Sequence, residues 1–130
     1  MGIDFFVVYS DKTIQVVDME SSNTPIKIDA HSGPVLAIAI DPLKSFIVSS
    51  GCDGHVCIWS FSDPKRLIKK WTNVFPTSND ITTSSTLCRM AWNPIGGKQV
   101  AIPVQEKIII YKRETWEEIT SLTCSKLTKV

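Results

Sequence analysis

His31, Ser49 and Asp53 are the residue types of an acyl-transfer centre: a hydroxyl to attack, an imidazole to take its proton, a carboxylate to orient the ring. The chain has two histidines, His31 and His55, so any such chemistry runs through one of them. A hydrolase reading makes Ser49 the nucleophile and His31 its base. The surrounding residues do not favour it. No Gly-x-Ser-x-Gly turn raises a serine at a strand-to-helix elbow. Gly96-Gly97 reads as a turn between strands, because no Gly-rich loop leads into a helix through Lys-Ser or Lys-Thr. Cys52, Cys57, Cys88 and Cys124 stand at irregular spacings with no Cys-x-x-Cys, and the histidines complete no zinc pattern. They read as reduced thiols packed as small hydrophobes in an intracellular protein, and no metal or cofactor is expected.

The elements that would position these residues must be read from a chain of ordinary globular composition. Its 130 residues carry 14 basic and 13 acidic side chains and are 43% apolar, which excludes a disordered polyampholyte. A net charge of +1 argues against a dedicated nucleic-acid module. Apolar runs such as Val35–Ile40 and Ile108–Tyr111 are far short of the roughly 18 residues a membrane helix needs, so no membrane role is expected. Met-Gly-Ile-Asp does not open a secretory signal, and Phe6 stands where myristoylation wants Ser or Thr.

Internal repetition organises the chain. Shifted by 52, Val35–Pro42 lies over Leu87–Pro94 and Val56–Trp59 over Ile108–Tyr111. Shifted by 42, Asp11–Asp18 lies over Asp53–Ser60. Three copies of one unit result, at approximately 3–28, 30–71 and 86–122, with a polar inter-blade loop at 73–86. Each unit reads as short strands between turns. In the middle copy these are Val35–Ile40, Phe46–Ser50, His55–Ser60 and Arg66–Trp71, with Asp53-Gly54 as the hairpin signal. Helical periodicity is weak throughout. Four short strands in about 42 residues is the pattern of a propeller blade, whose sheets stack face to face because one sheet alone cannot cover both faces. The fold class expected is all-β: four-stranded antiparallel blades, about three of them, in an incomplete propeller. Three blades do not close a ring, so the end blades are expected to leave apolar faces uncovered, as an excerpt or a piece completed by further blades or another chain would.

The middle unit resembles a WD40 repeat. Ala30-His31 stands where that family has Gly-His, and Trp59-Ser60 where it has Trp-Asp. The resemblance implies a buried hydrogen-bonded tetrad of His31, Ser49, Asp53 and Trp59. Asp53 would fix the His31 tautomer, Ser49 would relay, and the Trp59 indole N–H would find its acceptor. The other units depart from it: the matching positions are Ala101, Gln105 and Tyr111 at one offset, and Val7, Asp11 and Val17 at the other. More specifically, Gly51–Trp59, Leu87–Pro94, Val100–Val104 and Tyr111–Trp116 in this order are similar to the chromosome-transmission-fidelity replication adaptors of metazoans, which join WD repeats to an HMG box. This resemblance covers roughly positions 3–122. It implies a non-enzymatic scaffold of the nucleus, on chromatin, linking the replicative helicase to DNA polymerase alpha–primase, with other proteins as partners. The chain has no counterpart of the family's trimerisation domain or HMG box. The alternative is a WD40 scaffold of an unrelated ubiquitin-ligase or trafficking complex.

Candidate interaction residues follow. Ser32, Cys52 and Arg89 are expected near the face WD40 proteins use for partners. Lys65, Arg66, Lys69 and Lys70 form a basic cluster on the outer strand, suited to DNA phosphates or simply to blocking edge pairing. Lys112-Arg113 is a second basic pair, diluted by Glu114, Glu117 and Glu118. Trp92 is expected in the core at the position of a buried Ile40, and Trp71 and Trp116 on outer strands.

Overall fold

A computed structural model of the chain describes residues 5–18, 26–61, 66–72, 74, 90–104 and 107–123. These residues form eleven strands and no helix. β1 (Phe5–Ser10), β2 (Thr13–Asp18) and β3 (Ile26–Asp29) make the first sheet. β4 (Val35–Ile40), β5 (Phe46–Gly51), β6 (Val56–Ser60) and β7 (Leu67–Trp71) make the second. β8 (Ala91–Trp92), β9 (Gln99–Val104), β10 (Lys107–Lys112) and β11 (Glu118–Thr123) make the third. Every sheet is an antiparallel meander in chain order, so the three are successive blades of an incomplete propeller. Blade 1 has three strands among the described residues. Its β1 and β2 correspond to β5 and β6, and no counterpart of β4 is described.

The middle blade shows why the strands lose polar–apolar alternation. Every position of β6 is buried. Val56 and Ile58, with Val48, pack against Val100, Ile102, Trp92 and Trp116 of blade 3. Cys57 and Trp59, with Ile47, pack against Ile14, Val16 and Ile28 of blade 1. A strand covered on both sides can be apolar at each residue. β10 is equally apolar, yet Ile108–Tyr111 are only half-buried. Ile110 pairs with Ala101, and Ile108 with Pro103 and Leu122, so these side chains share the face turned away from blade 2. The corresponding face of blade 2 is sealed by blade 3; that of blade 3 has no blade against it among the described residues.

The register corrects the gapless offsets. Ser49 pairs with Cys57, and the equivalent pairs are Ile102 with Ile109 and Val8 with Gln15. The counterparts of Ser49 are therefore Ile102 and Val8, not Ala101 and Val7. The β5–β6 turn spans 52–55, whereas 11–12 and 105–106 join the matching strands of blades 1 and 3. The longer turn accommodates Asp53 and shifts the preceding strand by one residue.

Polar ties fasten the blades at opposite ends. At the β5–β6 end, Lys12 O accepts the amides of Ala30 and His31 at 3.1 and 3.2 Å, and Asp11 O accepts the Val35 amide. At the other end, Arg113 makes a bidentate ion pair with Asp41, with Nη1–Oδ1 2.7 Å and Nη2–Oδ2 2.9 Å. Asp41 is fully buried and also accepts the amides of Leu43, Ser45 and Phe46. Burial alone would raise its carboxyl, but Arg113 and the Leu43 and Ser45 N–H groups outweigh that and hold it below the ordinary carboxylate range. Arg113 also donates to Gly97 O at 3.1 Å and lies over the Phe46 ring at 4.7 Å. It is thus a clamp between blades rather than part of a solvated basic edge.

Candidate functional site

The β5–β6 turn and the 30–34 connection meet at one end of blade 2. His31 Nδ1 lies 3.0 and 3.1 Å from the two Asp53 oxygens, so it carries the proton and donates to the carboxylate. Nε2 is then the acceptor for the Ser49 hydroxyl at 2.8 Å. Ser49 Oγ in turn accepts the Trp59 indole N–H at 2.9 Å. The chain of donors runs from Trp59 through Ser49 and His31 to Asp53, and each polar atom is satisfied. Asp53 accepts two further N–H groups, from Ser32 at 3.0 Å and His55 at 3.1 Å, and His55 Nδ1 stands 3.4 Å away. The imidazole lies on the backbone of Gly51, where a Cβ would come within 2.6 Å of the ring. Gly54, at φ +82°, closes the turn.

The electrostatics match this tautomer. Burial pushes the His31 pKa down, against the pull of Asp53. Burial would raise the Asp53 carboxyl; His31 and the His55 and Ser32 amides outweigh it and hold it low. The arrangement stores a neutral imidazole against a carboxylate. Ser49 is 0% exposed and its oxygen is enclosed by His31 and Trp59. A nucleophile must reach a carbonyl, and this one has no approach.

The candidate surface residues fare differently. Ser32 is exposed beside Asp53. Cys52 is not part of the accessible surface: it is buried, its Cβ packed beneath Gly33. Cys57 is buried as well, and burial raises its thiol pKa to about 12, which leaves no reactive thiolate. Arg66, Lys69 and Lys70 are exposed. Lys69 pairs with Ile58 and Lys70 with Cys57, so they point to opposite faces of β7 and do not form one patch. Lys69 lies 5.9 Å from the Trp71 ring centroid, and Trp71 packs on Tyr111 of blade 3 at 4.6 Å with the rings tilted by 37°. Arg89, Lys65, Cys88, Cys124 and all of the 73–86 loop except Val74 lie outside the described residues. Val74 is buried, with its amide bonded to Gly54 O at 2.8 Å.

The tryptophans are seam residues. Trp92 is buried, with its indole N–H on Ala39 O at 3.2 Å. Ile40, expected to match it in burial, is instead exposed. Trp116 sits in the β10–β11 turn, not on the outer strand, and is buried against Phe46 at 5.1 Å. The sequence reading missed the Asp41–Arg113 clamp entirely; its only local signal was Asp41-Pro42 as a turn.

Comparison with known proteins follows this geometry. The family model described as "WDHD1 first WD40 domain" matches residues 5–130. WD repeat and HMG-box DNA-binding protein 1 of Mus musculus is 35% identical over 120 residues, covering 92% of this chain and 11% of that protein. The Homo sapiens protein of the same name is 36% identical over 107 residues, covering 82% of this chain and 9% of its own length. The chain therefore spans about a tenth of these relatives. Among solved structures, a chain of the mitotic checkpoint complex superposes with a TM-score of 0.69 at 19% identity, covering 92% of this chain and 37% of that one, a likeness of fold. A propeller section built on one complete WD40 tetrad, matched end to end by a single family model, belongs to the family of the first WD40 domain of WDHD1.

Proposed function

We propose that this chain is a non-catalytic section of a replication adaptor's WD40 propeller, acting on chromatin in the nucleus. It is a WD40 protein-interaction scaffold similar to WDHD1. The finer reading is that the protein carrying it links the replicative helicase to DNA polymerase alpha–primase. The observation that carries this reading is the family match over residues 5–130, with relatives named for WD repeats and an HMG box. In this reading the tetrad is a structural rivet. It ties the 30–34 connection to the middle blade and presents Ser32, Arg66, Lys69 and Lys70 on a rigid frame. The repeats at 3–28, 30–71 and 86–122 are sections of one ring, and further blades cover the face of Ile108 and Ile110. Partners are proteins; a DNA contact through the lysines is secondary, because Lys69 and Lys70 diverge.

The test is chromatin fractionation of synchronised cells expressing the tagged full-length protein, with crosslinking of its propeller to fork components. The reading expects S-phase chromatin enrichment and crosslinks to helicase or polymerase subunits. A protein that stays off chromatin throughout S phase, with crosslinks only to coat or ligase subunits, would replace it with the unrelated-scaffold alternative.

A further inference from the structure

Four serines and threonines of the chain stand three positions ahead of a carboxylate: Ser50, Ser60, Thr77 and Thr115. A kinase with lysine and arginine pockets beyond its acceptor subsite recognises that spacing, because the pockets take the carboxylates in charge-assisted hydrogen bonds. The fold sorts the four. Ser50 is 0% exposed on β5 and Ser60 is buried at the end of β6, so neither hydroxyl can enter another protein's cleft. Thr77 lies outside the described residues. Thr115 is exposed in the β10–β11 turn. It also has further carboxylates at hand: Glu117 two residues on and Glu114 just before it, both exposed like Glu118.

The same turn carries the opposite signal. Lys112-Arg113-Glu114-Thr115 places two cations ahead of the hydroxyl, the pattern read by a kinase with acidic pockets. Geometry decides between the two. Arg113 bonds both oxygens of Asp41 and Gly97 O, lies over the Phe46 ring, and is 13% exposed. An arginine so engaged cannot reach a second protein's carboxylates while blades 2 and 3 stay joined. The other side of the acceptor is accessible. Glu118 opens β11, the outer strand of its sheet, and all six positions of that strand are exposed. From Glu114 to Thr123 the one buried residue is Trp116. A kinase groove therefore meets an exposed hydroxyl followed by an extended strand with its carboxylates in water.

We propose that Thr115 is a phosphorylation site for an acidophilic serine/threonine kinase. Its Oγ attacks the γ-phosphorus of ATP, the bond from that phosphorus to the bridging oxygen breaks, ADP leaves, and the hydroxyl proton passes to the kinase's catalytic base. The phosphate adds about −1.5 to −2 charges, which takes residues 112–118 from a net −1 to about −3. The test incubates the longer protein, with its further blades, with MgATP and a purified kinase of either class, and maps phosphate by mass spectrometry. The expected result is phosphate on Thr115 from the acidophilic enzyme, absent in T115V and slowed at least about tenfold in E117Q/E118Q. These substitutions change exposed positions, and the variants are checked for an unchanged melting profile. The basophilic enzyme is expected to leave Thr115 of the folded protein unmodified, because Arg113 is held by Asp41. No phosphate at Thr115 from the acidophilic enzyme, an unchanged rate in E117Q/E118Q, or faster transfer by the basophilic enzyme overturns the assignment.

Discussion

Breaking the Asp41–Arg113 clamp should weaken the seam between blades 2 and 3. Asp41 is fully buried, the Arg113 side chain is 13% exposed, and the pair is bidentate. Removing one partner of a buried ion pair typically costs about 3–5 kcal/mol, because the other charge is left uncompensated. Arg113→Ala should fall near the lower end, about 3 kcal/mol, since Asp41 keeps three amide donors. Asp41→Ala should fall near the upper end, about 5 kcal/mol, since those three amides also lose their acceptor. The double variant should cost less than the sum, with a coupling of about 1.5–3 kcal/mol. The assay, here and for the stability expectations below, is unfolding of the longer protein that supplies the further blades, followed by tryptophan fluorescence, for which Trp92 and Trp116 sit on this seam. If the alanine variants unfold outright, Asp41→Asn and Arg113→Lys carry the same cycle at smaller amplitude. Additivity within about 0.5 kcal/mol would refute the clamp as an interaction between blades.

Other expectations use the same reasoning. Ser49→Ala strips partners from both the Trp59 N–H and His31 Nε2, whereas Trp59→Phe removes only the donor. Loss of stability in urea titrations should be about 2–4 kcal/mol for the first and about 1 kcal/mol for the second, leaving aside any repacking of the smaller ring. The folded-state pKa of His31 lies below its ordinary 6.5, so its contribution is complete above that value and is lost as pH falls through the folded pKa. Thermal melts should therefore decline below about pH 6.5 in the parent and less steeply in His31→Gln. Gly96 and Gly97 both have positive φ, +75° and +59°, but a Cβ on Gly96 makes only ordinary contact with the Lys98 side chain at 3.8 Å while one on Gly97 runs into Asp41 and Arg113. Gly96→Ala should cost about 1 kcal/mol and Gly97→Ala clearly more, read as the shift in unfolding midpoint.

The repeat was legible because blade faces are read twice, once by each neighbour, and so recur along the chain. Val35–Ile40, Asp53-Gly54 and Trp59 were enough to place the middle blade. The position of Ser49's counterparts was not, since a gapless shift carries no information about a turn lengthened to seat Asp53. Cys52 looked superficial beside a polar turn, but the side chain is directed under Gly33. Arg113 looked like surface charge because its partner lies 72 residues away in sequence. The divergence of Lys69 and Lys70 was available in the sequence, as adjacent strand residues point to opposite faces. Treating them as one cluster ignored that alternation.

The central claim is that these three sheets are one section of a larger ring, held by seams of the kind seen between the described blades. Size-exclusion chromatography with light scattering on the isolated chain, paired with a thermal melt, tests it most directly. The face of Ile108 and Ile110, uncovered among the described residues, predicts dimers or larger species and no sharp cooperative transition in the isolated chain, both reversed when further blades are supplied on the same chain. A monodisperse monomer with a cooperative melt would contradict the account, because three blades would then be sufficient by themselves.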